Sequence, residues 1–266
     1  MNEHVLVWDV ETVPDLPCVA RVHGLDHDDH AACREALGDK FPKLPFHQIA
    51  CIGALIAERR EGVWTVLSLG APHMGERTEA EIINSFVSRI AEYRPQMVTF
   101  NGASFDLPVL RYRAMINRVS APGLECRRYF YRYSEDCLDL CDALACFSPG
   151  GKISLNDLCR ALGFAGKPDG MDGSEVDRYV QEGRIGEVAA YCETDVISTY
   201  RVWLIYELFR GTLTRAEFDA SEANLMEFVT ERVGVKPYLR HVLRDRTVTP
   251  AGGGEGFDRL VGIRQQ

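Results

Sequence analysis

The 266-residue sequence predicts an α/β fold in one main domain, a mixed β-sheet flanked by helices with a helical C-terminal portion. Three observations predict it. Short apolar runs of strand length stand at 5–8 and 97–100, and two longer β-type runs flank Arg59-Arg60-Glu61-Gly62. From residue 185 onward the apolar spacing turns helical. With 46% apolar and 26% charged residues, the composition is that of an ordinary globular chain able to bury its own core.

Val5-Leu6-Val7-Trp8 reads as a buried strand that ends at Asp9-Val10-Glu11. A polar stretch with several His and acids follows, as far as Phe41-Pro42-Lys43-Leu44-Pro45. The runs 49–58 and 63–69 form the expected hairpin. Ile82, Ile83, Phe86, Val87 and Ile90 give residues 79–93 a helical period, which Pro95 closes, and a strand over 97–100 comes next. After the turn at Asn101-Gly102, Ser104 is expected to cap a helix to about Asn117, with Pro108 tolerable in its first turn. A strand is expected over 137–140, and caps at Ser154 and Ser174, each three residues before an Asp. Gly166 to Gly173 reads as a loop, 185–209 as the longest helix and 215–233 as another. The expected division is a domain over 1–213, a helical extension over 214–250 and a flexible tail over 251–266, where glycines cluster.

Several classes are disfavoured. The longest apolar run, 49–57, is nine residues, too short to cross a bilayer. Met1-Asn2-Glu3-His4 carries acid where a secretory signal carries base, and nine Cys without a C-x-x-C pair read as reduced thiols, so a cytoplasmic setting is expected. Cys137, Cys141 and Cys146 lack zinc spacing and read as small buried hydrophobes. Neither Gly-Lys segment, at 151–152 or 166–167, is followed by the Ser or Thr of a phosphate loop. A net charge of −9 argues against a protein that coats nucleic acid, but not against an enzyme that gathers carboxylates around metal ions. From Arg111 to Tyr133 the balance reverses: six Arg, one acid and five aromatics. Within it, Arg127, Arg128, Tyr129, Tyr131 and Arg132 have the mix that grips single strands, or equally that of an amphipathic strand with solvated Arg and buried rings. The His23–His30 segment reads as a solvated insertion.

Asp9 and Glu11, two apart at a strand end, project from one face, and like charges at a core rim call for a counter-ion. A divalent cation with a preference for carboxylate oxygen supplies it, although a strand simply running into solvent reads the same way. Asp106 falls in the first turn of its helix, where the dipole alone favours a carboxylate. Tyr191 and Asp195 are i and i+4 on the long helix and neighbours on its surface.

Taken together, Trp8-Asp9-Val10-Glu11-Thr12, Asn101-Gly102-Ala103-Ser104-Phe105-Asp106 and Tyr191-Cys192-Glu193-Thr194-Asp195 resemble the three exonuclease motifs of the DEDD superfamily, tyrosine subclass. The set is most similar to the predicted 3′–5′ exonuclease family related to the proofreading domain of family-B DNA polymerases. The resemblance spans most of 5–203 and takes in 49–53 and Asp139-Leu140. It implies a ribonuclease-H-like fold and hydrolysis from a 3′ end with two divalent cations, Mg²⁺ or Mn²⁺, releasing nucleoside monophosphates. By the same resemblance Asp9 bridges both ions, Glu11 and Asp195 hold the one that activates water, Asp106 holds the other, and Tyr191 orients the attacking water. Asn101 and Phe105 are candidate substrate contacts, although Phe105 also reads as a core residue. The expected substrates are single-stranded DNA ends in repair or editing, with RNA as the alternative and a non-catalytic nucleic-acid-binding module as the different-class reading. Any proofreading role would call for a polymerase on another chain.

Overall fold

A computed structural model describes residues 3–38, 40–164, 166 and 173–244. Most of the loop expected over 166–173 and the whole tail expected over 251–266 lie outside the described residues. The sheet has five strands: β1 (Glu3–Pro14), β2 (His47–Arg60), β3 (Val63–Gly70), β4 (Gln96–Thr99) and β5 (Cys137–Asp139), in the order β3-β2-β1-β4-β5. The first three are antiparallel, whereas β4 and β5 run parallel to β1. This is the mixed sheet of the ribonuclease-H-like α/β fold, with β1 at its centre, and the shorter helices include α1 (Leu16–His23), α2 (His30–Leu37), α5 (Leu140–Leu144), α6 (Leu155–Ala161) and α7 (Val176–Gln181).

A central strand buried on both faces reads as a continuous apolar run, and β1 does. Leu6, Trp8 and Val10 face one layer, built from helix α3 (Glu79–Tyr93) and helix α4 (Asp106–Ile116). Val5 and Val7 face the other, where helix α8 (Ile185–Arg210) lies with Val196, Tyr200 and Trp203. Helix α9 (Arg215–Arg232) joins that second core through Leu225 and Val229 beside Trp64, so the helical C-terminal portion shares the sheet's own core. Burial therefore surrounds α8 between Val188 and Leu204, and its apolar residues form no single stripe.

The hairpin, α3 and the strand before Asn101 stand where the residues predict them. Thr78 and Glu81 close a full capping box at the start of α3, and Ser154 caps the short helix Leu155–Ala161 through the Asp157 amide. Four expectations are corrected, and the polar stretch gains an assignment. β1 does not end at Glu11 but stays paired with β2 as far as Pro14. Ser104 does not cap α4: Phe105 takes the cap position, Ser104 Oγ turns back to the Asn101 carbonyl at 3.4 Å, and Asp106 is the first helical residue. Ser174 sits inside a single 3₁₀ turn, and the helix Val176–Gln181 begins behind Glu175 without a side-chain cap. The polar stretch after β1 holds two short helices, Leu16–His23 and His30–Leu37, capped by the carboxylates of Asp15 and Asp29. Cys137 and Cys141 are buried as expected, whereas Cys146 is exposed. Among the described residues no helix is long and apolar enough to cross a membrane.

Candidate active site

Odd-numbered residues of β1 face α8, so Asp9 and Glu11 extend the Val5-Val7 row toward that helix. Asp9 is half-buried and Glu11 is buried. Gly53, paired with Asp9 across the β1–β2 ladder, decides how near the helix comes. A Cβ there would stand 2.7 Å from Cys192 Sγ and 3.2 Å from the Cys192 carbonyl, so only glycine lets α8 lie against the sheet at this height. Cys192 Sγ consequently rests 3.6 Å from the carbonyl and 3.6 Å from the Oδ2 of Asp9. Tyr191 and Asp195, on either side of that contact, are buried beside the two β1 carboxylates.

Asp106 arrives from the opposite layer. Its Oδ1 accepts the Val10 amide at 3.1 Å, between Asp9 and Glu11. Two features hold it there. A Cβ on Gly102 would lie 2.6 Å from Asp106 Oδ2 and 2.7 Å from Thr99 Cβ, so the missing side chain is the cradle of the carboxylate. Asp139, at the end of β5, accepts the amides of Asn101 at 2.8 Å and Ala103 at 2.9 Å and clamps the turn. Asn101 takes the left-handed region there at φ 67°, which Asn tolerates better than most residues. Gly102→Ala should cost roughly 100-fold in turnover through displacement of Asp106, a misplacement near 1 Å having that order of effect. Circular dichroism together with kcat separates this outcome from unfolding, since the helical signal should persist.

These side chains line one cleft of about 1130 Å³. Asp9, Glu11, Asp106, Tyr191 and Asp195 lie along it, and Asn101 and Phe105 also line it. Phe41 joins Phe105 and His47 in an aromatic cluster, with centroids 5.5 Å apart for Phe41–Phe105 and 4.9 Å for His47–Phe105. Lys152, which the sequence offers only as part of a failed phosphate-loop pattern, lines the cleft and places Nζ 2.7 Å from Asn101 Oδ1. It sits in a loop after β5 and carries no motif, so only tertiary placement reveals it. Arg127, Arg128, Tyr129, Tyr131 and Arg132 do not line the cleft. They lie in turns and irregular loop, not in a strand, and the side chains of four of the five have local polar partners. Arg127 and Arg128 pair with Asp136, Arg132 pairs with Asp142, and the buried Tyr129 hydroxyl donates to the Pro95 carbonyl at 2.7 Å.

The electrostatics fit a site built for cations. Burial pushes the Asp106 carboxyl up to about 7, with the neighbouring Asp139 charge adding to it against the Val10 hydrogen bond. Burial, then the charges of Asp195, Glu11 and Asp9 and a hydrogen bond to Asp195, hold the Tyr191 phenol well above its ordinary value. Tyr191 therefore keeps its proton. Asp9, Glu11 and Cys192 each offer a ligand atom within 4.8 Å of one another. A hydrogen bond with Cys51, burial and the nearby carboxylates keep the Cys192 thiol protonated, which leaves oxygen as the anionic donor. Such a set suits a hard cation. The exposed Asp26-His27-Asp28 group is a second set of potential ligands, on the solvated turn between the two short helices.

A stability effect follows from Asp106. With its folded carboxyl pushed up to about 7 from an ordinary 3.8, protonation favours the folded state. In chelator, stability should rise as pH falls through about 7 and level off near the unfolded value. Thermal melts in EDTA between pH 8 and pH 5 measure this rise, and Asp106→Asn should flatten it. Addition of Mn²⁺ at pH 8 should raise the wild-type melting temperature, because a ligand that binds only the folded state stabilises it.

Over residues 39–244 the chain matches the family described as "Predicted 3'-5' exonuclease related to the exonuclease domain of PolB". The chain belongs to that family. The match includes Asp106, Tyr191 and Asp195 and begins after β1, so Asp9 and Glu11 join the set through the fold. No curated protein matches the chain. Family membership supports a nuclease of the 3′–5′ exonuclease kind, acting on nucleic acid.

Proposed function

We propose that this protein hydrolyses single-stranded DNA from the 3′ end to nucleoside monophosphates, with two divalent cations, Mg²⁺ or Mn²⁺. One observation carries the reading: Asp9 and Glu11 from β1, Asp106 from the start of α4, and Tyr191 and Asp195 from α8 meet in a single cleft. Three distant segments have no packing reason to bring four carboxylates together in a largely buried position, where like charges cost free energy.

Asp9, Glu11, Asp106 and Asp195 are the residues that would hold the ions. Bound ions of this kind lower the pKa of water and stabilise the charge on the attacking and leaving oxygens of an in-line displacement. Asp106 stays in place through the Val10 amide and the Gly102 cradle. Tyr191, kept protonated by burial and the adjoining carboxylates, would donate its one proton to Asp195 and accept a hydrogen bond from the attacking water through its oxygen. Asn101 and Phe105 line the cleft where the terminal nucleotide would lie, and Lys152 adds a cation on the same wall.

The test follows direction and product. Single-stranded DNA and RNA of matched sequence, labelled at the 3′ or the 5′ end, are incubated with Mg²⁺ or Mn²⁺. The reading predicts immediate release of the 3′ label as a mononucleotide and a shrinking ladder from the 5′ label, with DNA preferred. Cleavage starting inside the strand or at the 5′ end contradicts it. Binding of both strands without cleavage would favour a non-catalytic module.

A further inference from the structure

Outside the cleft, three large rings stand together in solvent. Tyr131, Tyr133 and Phe147 are 55%, 63% and 40% exposed. Their centroids step by 6.0 Å from Tyr131 to Tyr133 and by 4.9 Å from Tyr133 to Phe147. Isolated exposed rings are commonplace, but a contiguous row marks an interaction surface. The backbone supports the row at a cost. Cys146 and Phe147 both adopt the left-handed region, at φ 49° and 59°, a conformation that disfavours residues other than glycine.

Two guanidiniums accompany the rings, Arg128 at 5.9 Å from the Tyr131 centroid and Arg132 at 5.8 Å from that of Phe147. Among the described residues, Arg127, Arg128, Arg132 and Lys152 share the two carboxylates of Asp136 and Asp142, while Glu135 is engaged by Arg210. The strip thus keeps positive charge in a chain of net charge −9. It is also continuous with the cleft. Asp142 holds Arg132 at 2.8 Å on one oxygen and Lys152 at 3.0 Å on the other, and Lys152 and Ile153 line the cleft wall.

We propose that this strip is a stacking platform for a single nucleic-acid strand, receiving the nucleotides upstream of the 3′ end. The strand's direction rests on the nuclease reading above; the binding does not. Bases stack on the rings while phosphates meet Arg128 and Arg132, an arrangement that grips a strand with little regard to sequence. The platform gives the protein a preference for strands long enough to reach it from the cleft.

Anisotropy with labelled dT12 and rU12, in EDTA so that no hydrolysis intervenes, tests the platform. Tyr133→Ala and Phe147→Ala should each weaken binding of a 12-mer ~10-fold, the order expected for loss of one stacked base. Competition by a dinucleotide, which the proposal seats in the cleft alone, should be unchanged. Phe209→Ala, which removes a ring 82% exposed at the far end of α8, should bind as wild type does. Arg132→Gln should reduce the salt dependence of 12-mer binding by about one phosphate contact. The relative affinities of dT12 and rU12 show which strand the platform favours. Equal affinity of wild type and the Tyr133→Ala/Phe147→Ala double variant for both 12-mers overturns the proposal. An equal loss for the dinucleotide, or no binding of either 12-mer by wild type, does the same. Hydrolysis is scored separately: ring-dependent binding without cleavage would sink the nuclease reading and leave the platform, whereas cleavage with ring-independent binding would sink the platform alone.

Discussion

Asp9→Asn should lower strand hydrolysis by at least about three orders of magnitude, or ~4 kcal/mol of transition-state stabilisation, with the melting temperature in chelator held or raised. The size follows from the position of Asp9. It sits on the α8 face of the central strand, against Cys192 of that helix, and lines the cleft with Glu11 and Asp195, and amidation removes an anionic donor without changing shape. The loss should appear in kcat far more than in KM, because the group acts on charge that develops during reaction. Circular dichroism and thermal melts of the variant check that the fold is intact. A variant that keeps a tenth of wild-type turnover would remove Asp9 from the proposed metal set.

The largest stability effect should come from a residue behind the cleft. Arg113, 2% exposed in α4, donates Nε and Nη2 to the two oxygens of Glu79 at 2.7 and 2.6 Å and Nη1 to Asp15 at 2.6 Å. Glu79 also accepts the Ile49 amide and the Asn117 side chain, each at 2.8 Å. One guanidinium therefore ties α4 to the first turn of α3, the start of β2 and the cap of the first short helix. Arg113→Met leaves two buried carboxylates without their cation, which costs about 3–5 kcal/mol. For a domain of this size that corresponds to a fall in melting temperature of roughly 10 °C. Arg111→Met removes only an exposed guanidinium stacked 4.5 Å from the Phe130 ring and should cost under about 1 kcal/mol. Equal melting temperatures for the two variants would contradict the assignment.

Much of this was legible in the residues. The apolar row of β1 with its two acids, the helix over 79–93 and the Tyr and Asp one turn apart on the longest helix stand as read, although β1 runs on past the acids to Pro14. Their meeting was not legible, because nothing local says that α8 lies on the sheet beside Asp9. Gly53 decides that contact through the atom it lacks, and Gly102 does the same for Asp106. The clamp by Asp139 and the Arg113 network join residues 34 to 98 positions apart, beyond any periodicity. The two short helices after β1 were hidden by their polarity: only Cys33 is buried in the second, so no apolar stripe announces it. The basic-aromatic run was legible in composition only: the residues do not say that its Arg side chains pair locally, or that its rings divide between a buried Tyr129 and an exposed outer row.

The central claim is that the converging carboxylates cut phosphodiester bonds from a 3′ end, and one gel tests it most directly. Single-stranded DNA labelled at its 5′ end is incubated with wild type and with Asp195→Ala, in Mn²⁺ and in EDTA. The predicted result is a ladder shrinking from the 3′ end with wild type in Mn²⁺ only. Intact DNA in all four lanes, or a ladder that survives both the chelator and the substitution, would contradict it.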